Sequence, residues 1–378
     1  MTGVTSTGLP GFRLFEEWNN AEIHRIAKAN RSCGTPKREN HMSDYSVELS
    51  RMQMMQFIHG YIPSQAIYVA AKLGLADLIG VVPRTVEELA HETKAHAPSL
   101  RRLLRALASL GIFAEDTNGN FGNTPLSLTL RADDPRSTRG AALMYSSPPI
   151  WASWGQLYES VMTGQPSFDR IHGAPFFKYL DSHPDDAAVF NAAMTSGSSI
   201  AVSAIVSAYD FSKFRRIADV GGGHGALLHA IMSANPNLQG VLVDLPTVVA
   251  GAASLRDGAV GNRCEIVGAD FFESIPSGAD AYVMKHVIHD WNDEDALHIL
   301  RNCRRAMATS GTLLLIEWVL KPSNEVDIGK LLDLYMLVNL GGLNRTEPEF
   351  QSLLRQAGFS LTRIIPAGPA SIIESAAS

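Results

Sequence analysis

The sequence predicts an α/β fold. A doubly wound, mostly parallel sheet closed by an antiparallel hairpin fills its second half, and a mainly helical region precedes it. Three observations carry this. After residue 215 short β-type apolar runs alternate with helical stretches. Before it, apolar residues recur at three- and four-residue spacing. The chain ends in two apolar runs separated by a segment holding Pro366, Gly368 and Pro369, the pattern of a hairpin.

Residues 1–42 form a separate leader in this reading. They hold six Lys/Arg against four Asp/Glu, so residues 43–378 carry 26 cations against 34 acids. Within the leader, 14–29 reads as an amphipathic helix with Phe15, Trp18, Ile23 and Ile26 on one side, and 31–40 is polar and turn-rich. The pair His41-Met42 suggests a cloning junction or an internal start, and the leader is expected to be partly disordered.

Residues 43–205 read as helix. Met52, Met55 and Ile58 share a helical face, and a second helix runs through 67–78. Thr85 and Glu88 make a capping box. The helices at 85–90 and 97–110, with a strand pair turning at Asn118-Gly119, read as a helix-turn-helix with a small wing. Helical text resumes over 151–209, broken at 164–173.

From 206 on, strands are expected at 216–220, 240–244, 265–267, 281–284 and 312–316, with helices at 226–234 and 293–308 and a hairpin of 360–365 with 370–374. This is a Rossmann-like order, so a ligand is expected at the carboxyl ends of the strands.

Composition bounds the function. The chain has 378 residues, 46% hydrophobic and 19% charged, which suits two globular domains and excludes collagen and coiled coil. No run approaches the ~18 apolar residues of a membrane span, and no signal peptide is evident, so no membrane partner is expected. Cys33, Cys264 and Cys303 are widely spaced and read as reduced thiols of a cytoplasmic protein. A net charge of −6 argues against a polyanion, so no nucleic acid is expected.

The chemistry is sought strand by strand. Asp219-Val-Gly-Gly-Gly-His-Gly225 follows the first strand, and Gly221, Gly223 and Gly225 let a turn pass close to a ligand. On its own this loop is weakly specific, since a tight ligand-free turn has the same composition. Asp244, ending the second strand, suits a ribose. Asp270-Phe271, after the third, suit an adenine amino group and an adenine face. Taken singly, each Asp is more commonly a turn or cap residue; one per strand, they outline a nucleoside. Asp219 would repel a pyrophosphate and welcome an ammonium group, which favours S-adenosylmethionine over NAD. The fourth strand leads into Lys285-His286-Val-Ile-His289-Asp290-Trp291. His289 suits a general base because histidine titrates near neutrality. No metal is expected, because no third Cys or His lies nearby in sequence and the local acids suit a helix N-cap at Asn292 or Asp293. Glu317 ends the fifth strand, where a buried acid needs a partner such as an imidazole.

Together with Val243-Asp244-Leu245-Pro246, Phe190-Asn191-Ala-Ala-Met194 and Asn339-Leu-Gly-Gly-Leu-Asn344-Arg345-Thr346, these motifs resemble the class I S-adenosylmethionine-dependent O-methyltransferases. The subgroup is that of the plant caffeic-acid, hydroxyindole and bacterial polyketide and phenazine enzymes. The likeness runs from about Met52 to the C-terminus. It implies a winged-helix-like unit in a front half that dimerises, and a small aromatic acceptor. It also implies roles: Gly221, Gly223, Asp244, Leu245, Asp270, Phe271, Lys285 and Ser198 at the cofactor, joined by Asp219. His289 is then the base and Glu317 its orienting acid, with Met194, Asp290, Met336 and Asn339 at the acceptor. The family usually carries Glu where this chain has Asn344. An amide there hydrogen-bonds but does not balance an imidazolium.

Rival readings are a catalytically altered relative, kept alive by Asn344, and a DNA-binding regulator using Arg101, Arg102 and Arg105 on the second helix of the helix-turn-helix. An NAD-dependent oxidoreductase is disfavoured by Asp219 and lacks a hydride-transfer constellation.

Overall fold

The computed structural model describes residues 38–378 except Pro135 and Ser323, and omits the side chains of 38–46, Thr195, 197–200 and 258–259. The expectations for 14–29 and 31–37, and for the side chain of Ser198, lie outside the described residues. The chain divides into a unit ending at Tyr61 and a unit of Ile62–Ser378. In the first, one helix, Arg38–Ile58, runs unbroken across the expected leader boundary at 42/43. Phe57 and Ile58 on it are 73% and 55% exposed.

The second unit opens with helices. Val86–Thr93 starts at Thr85, whose side chain and that of Glu88 form the expected capping box. Ala97–Ser109 follows, burying Leu100, Leu104 and Leu107 at helical spacing. Strands β1 (Phe113–Glu115) and β2 (Phe121–Asn123) then pair antiparallel, with Gly119 at φ 80° in the turn. Arg101 and Arg105 pair with Glu87 and Glu115 at 3.3 and 3.4 Å, so two of the three cations counted for a nucleic-acid reading face acids.

The stretch expected to be helix with one break is more divided. Helices cover Pro148–Trp154, Leu157–Thr163, Ser167–His172 and Phe176–Ser182, so the expected break at 164–173 itself holds a helix. Gly164 and Gly173 end their helices in left-handed geometry that L-residues avoid. Pro184–Ala208 is then one long helix. Its Ala201, Val202 and Ile205 enter the core beneath the sheet.

Strands β3 (Arg216–Val220), β4 (Gln239–Asp244), β5 (Cys264–Gly268), β6 (Ala281–Lys285) and β7 (Thr312–Glu317) are parallel. A small ladder joins β8 (Val319–Leu320) to β9 (Arg345–Thr346). Strands β10 (Phe359–Ala367) and β11 (Ala370–Ala377) make the closing hairpin, and β11 adds antiparallel to β7. The sheet order is β10-β11-β7-β6-β3-β4-β5. The near-continuous apolar runs of β3, β4, β6 and β7 follow from burial on both faces. One face packs on Leu227, Leu228, Ile231 and Met232 of the helix Ala226–Ala234, the other on Ile299, Leu300 and Cys303 of Asp293–Ala306. Each such side chain contributes about 1.5–3 kcal/mol by leaving water. Because the five strands run parallel, their carboxyl ends open on one edge.

Candidate active site

The β3–helix turn is tied to β4. Gly221 N–H donates to Val243 O at 2.8 Å, and Gly223 N–H to Asp244 Oδ2 at 2.8 Å. Gly221 has φ 69°, and a Cβ there would meet Val287 Cγ2 at 2.7 Å, so only glycine lets β3 turn beside the β6 loop. Gly223, at φ 60°, has nothing within 4 Å of a built Cβ and faces open space. Asp244 Oδ1 accepts from Leu245 N–H at 2.7 Å, fixing the carboxylate in place. Burial raises its pKa against those two bonds.

Asp219 is 2% exposed, and neither carboxyl oxygen has a hydrogen-bond partner among the described residues. Burial pushes it up to about 7, partly opposed by the Lys285 charge. Burial in turn lowers Lys285, against the pull of Asp219, Glu317 and Asp290. An unpartnered buried acid is costly unless a cation completes it. Asp270 Oδ1 accepts from Phe272 N–H at 2.8 Å, and Phe271 packs edge-on to Trp291.

β6 leads into a short 3-10 turn, Ile288–Asp290, that carries His289. Glu317, at the end of β7, is fully buried. Its Oε1 accepts from Val287 and Ile288 N–H at 3.2 and 2.9 Å, pinning the turn. Its Oε2 lies 3.1 Å from His289 Nδ1, and Asp290 Oδ1 lies 3.3 Å from His289 Nε2. Burial disfavours charge on His289, but the two carboxylates outweigh it and raise the imidazole above its ordinary value. Burial would raise Glu317 too, yet the His289 charge and both imidazoles hold it well below the usual carboxylate range. Burial raises Asp290 despite His289.

The pattern of acids differs from the expected one. Asn344 makes no hydrogen bond to His289: its Nδ2 donates to Gly329 O at 2.9 Å and its N–H to Asp333 Oδ1 at 2.7 Å. Asp290, expected at the acceptor, is the second carboxylate on the imidazole. Met336 and Asn339 are buried on the helix Ile328–Asn339, with Asn339 Oδ1 lacking a partner. Met194 is 39% exposed.

Two residues gain a role only from the fold. Tyr335 is buried beside Met336, edge-on to Tyr145, with its hydroxyl unpartnered. Arg345 is 1% exposed and donates to Ile288 O, Trp291 O and Leu343 O and to Asp293 Oδ1, stapling the loop that carries His289. In the sequence, its place directly after Asn344 in the late motif is the signal that points to it.

A cavity of about 480 Å³ opens among the helices, lined in part by Tyr68, Lys72, Arg139, Phe176, Asp186 and Phe190. No strand-end residue lines it, so this hollow is separate from the cluster at the sheet edge.

Fold and cluster place the chain among doubly wound α/β enzymes with a His–carboxylate pair at the strand ends. Residues 154–360 match the O-methyltransferase domain, and residues 55–133 the O-methyltransferase dimerisation domain. The phenazine O-methyltransferase of Lysobacter antibioticus is 44% identical, over 85% of this chain and 94% of that protein. A solved mitomycin 7-O-methyltransferase is 37% identical with a TM-score of 0.83, covering 89% of this chain and all of that one. An O-methyltransferase from neocarzinostatin biosynthesis, solved with S-adenosylmethionine and 2-hydroxy-5-methyl naphthoic acid, is 34% identical with a TM-score of 0.75, over 84% and 96% of the chains. The chain belongs to the O-methyltransferase family, whose methyl donor is S-adenosylmethionine. No helix among the described residues is long and apolar enough to cross a membrane.

Proposed function

We propose that this enzyme transfers the methyl group of S-adenosylmethionine to a hydroxyl of a small, flat aromatic acceptor, with His289 as general base. The observation that carries this is His289 held between Glu317 on Nδ1 and Asp290 on Nε2 at the end of β6. A phenol ionises near pH ~10, so a base matters at neutral pH. In this reading the acceptor proton passes to Nε2 while the Glu317 charge, 3.1 Å from Nδ1, favours the proton on Nδ1. The acceptor oxygen bonds to the methyl carbon as the carbon–sulfur bond breaks, and S-adenosylhomocysteine leaves. His289 must be neutral to act, and a sulfonium arriving nearby favours that form by repelling imidazolium. Tyr335, Met336 and Asn339 line the acceptor side.

Asp219, Gly221, Gly223, Asp244, Leu245, Asp270, Phe271 and Lys285 hold the cofactor, with Ser198 assigned by family likeness alone. The acid at Asp219 supplies the proposal's pH signature. Below pH 7 it is mostly neutral in the free protein, and an ammonium group favours its ionised form. Affinity for S-adenosylmethionine is expected to weaken by about tenfold per pH unit below 7. Calorimetry from pH 5.5 to 7, paired with transfer of labelled methyl to a panel of hydroxylated aromatics, tests both halves. Flat affinity removes Asp219 from the site; binding without transfer to any hydroxyl defeats the O-methylation reading.

Residues 43–205 act as a helical dimerising half and 206–378 as the cofactor half. The dimerisation match and the exposed Phe57 and Ile58 support this. Light scattering is expected to give a homodimer; a monomer at micromolar concentration contradicts it.

A further inference from the structure

We infer that His286, His289 and Glu317 form a binding site for a divalent transition metal of the zinc type, and that a metal bound there switches the base off. The second half rests on the reading of His289 as base; the first does not.

The sequence supplies two histidines three residues apart and no third Cys or His nearby. The fold supplies it. Parallel pairing sets Lys285 opposite Ile316, which brings Glu317 beside both rings. His286 Nδ1 and His289 Nδ1 lie 3.8 and 3.1 Å from the same oxygen, Glu317 Oε2. The three donor atoms fall within 4.8 Å of one another. None of the three has a well-formed hydrogen bond, and all are sealed from solvent. Glu317 Oε1 is already occupied by the Val287 and Ile288 N–H groups, so Oε2 is the free ligand atom.

Two imidazole nitrogens and one carboxylate oxygen, with a fourth position open, are a zinc donor set. Bonds of ~2.0–2.1 Å in a tetrahedron put ligand atoms roughly 3.3 Å apart. The observed 3.1 and 3.8 Å to Glu317 Oε2 lie within about half an ångström of this, and the two imidazole nitrogens, no more than 4.8 Å apart, close the rest by ring rotation. A pure hydrogen-bonding account fits less well, because 3.8 Å is too long for His286 Nδ1 to donate.

Two further features support the site. His286 holds φ 53°, a left-handed backbone rare outside glycine, and its ring stacks on His289 at 5.1 Å. Asp290 Oδ1 lies 3.3 Å from His289 Nε2, and a metal-bound histidine usually gives its other N–H to such a carboxylate.

The tautomer links metal to activity. A working base has its proton on Nδ1 and its lone pair on Nε2. Metal on Nδ1 forces the proton onto Nε2, where Asp290 accepts it, and Nε2 no longer takes a proton from the acceptor.

The experiment titrates zinc chloride alone into the full-length protein by calorimetry and follows methyl transfer in parallel. The expected result is one zinc per chain and at least about a tenfold fall in turnover, reversed by EDTA. His286→Asn suits a left-handed backbone and removes one ligand, and should weaken zinc binding about tenfold or more and spare the variant from inhibition. No stoichiometric binding to the wild type, or unchanged binding and inhibition in His286→Asn, overturns the site. Zinc that binds, is weakened by His286→Asn, and leaves wild-type turnover intact upholds the site and overturns the base. Cobalt(II) added to the wild type needs no variant: strong visible bands of a four-coordinate ion support the site, and the pale spectrum of hydrated cobalt counts against it.

Discussion

Replacing His289 with alanine or glutamine lowers kcat by about 10²–10⁴ and shifts the dissociation constant for S-adenosylhomocysteine by less than about threefold. The split follows from where the side chain sits. His289 lies on the β6 turn, and its two contacts are the carboxylates of Glu317 and Asp290. The backbone groups that cradle Asp244 belong to Gly223 and Leu245, on another part of the edge. Losing the imidazole leaves that cradle whole. With His289 as the proposed base, what is lost is the means of ionising a phenol, of which roughly one molecule in a thousand is ionised at pH 7. The remaining rate comes from holding the acceptor and the methyl group in line. Single-turnover kinetics and calorimetry on the same preparations check both numbers. Turnover of His289→Gln equal to wild type would sink the assignment, and a large loss of cofactor affinity would turn His289 into a binding residue.

Much of this architecture is legible in the sequence because its signals are local. Four of the five parallel strands end in Asp, Gly, Lys or Glu after an apolar run, and β3 runs directly into Gly221. The helix Ala226–Ala234 keeps its expected bounds because Gly225 and Asn235 flank it. The N-cap at Asn292 is visible for the same reason, with its side chain accepting from Asp295 N–H. What escapes the sequence depends on contacts between distant segments. The expected break at 164–173 itself holds the helix Ser167–His172, whose Phe168 is buried against Phe176 of the next helix. Asn344 occupies the family's acid position, but its amide is held by Gly329 across fifteen residues of chain. Asp290 takes up the second side of the imidazole only because a 3-10 turn folds it back beside its neighbour. Arg345 carries no role from its place in the late motif alone; its donation to Ile288 O and Trp291 O appears only once the chain folds the two segments together.

Glu317→Gln is the second large effect, and its value lies in separating charge from shape. A glutamine oxygen still accepts from Val287 and Ile288 N–H, so the turn stays pinned. Its amide nitrogen then faces His289 Nδ1 and donates to it. That places the imidazole proton on Nε2, the wrong tautomer for a base. The expected loss in kcat is about 10³–10⁴, the size seen when a histidine's orienting carboxylate becomes an amide. Glu317→Ala also orphans two buried N–H groups, which costs a further 2–4 kcal/mol or so of stability. The pH dependence of stability identifies the charge. Glu317 titrates below its ordinary range, so its contribution is present above about pH 4.5 and fades as pH falls further. His289 titrates above its ordinary range, so its contribution is full below about pH 6.5 and fades as pH rises through its raised value. The pair therefore stabilises the wild type most between these limits. Urea denaturation should show this maximum in the wild type and a flatter profile in Glu317→Gln. Parallel profiles would mean that Glu317 acts on His289 through shape alone, and the glutamine variant would then keep most of its turnover.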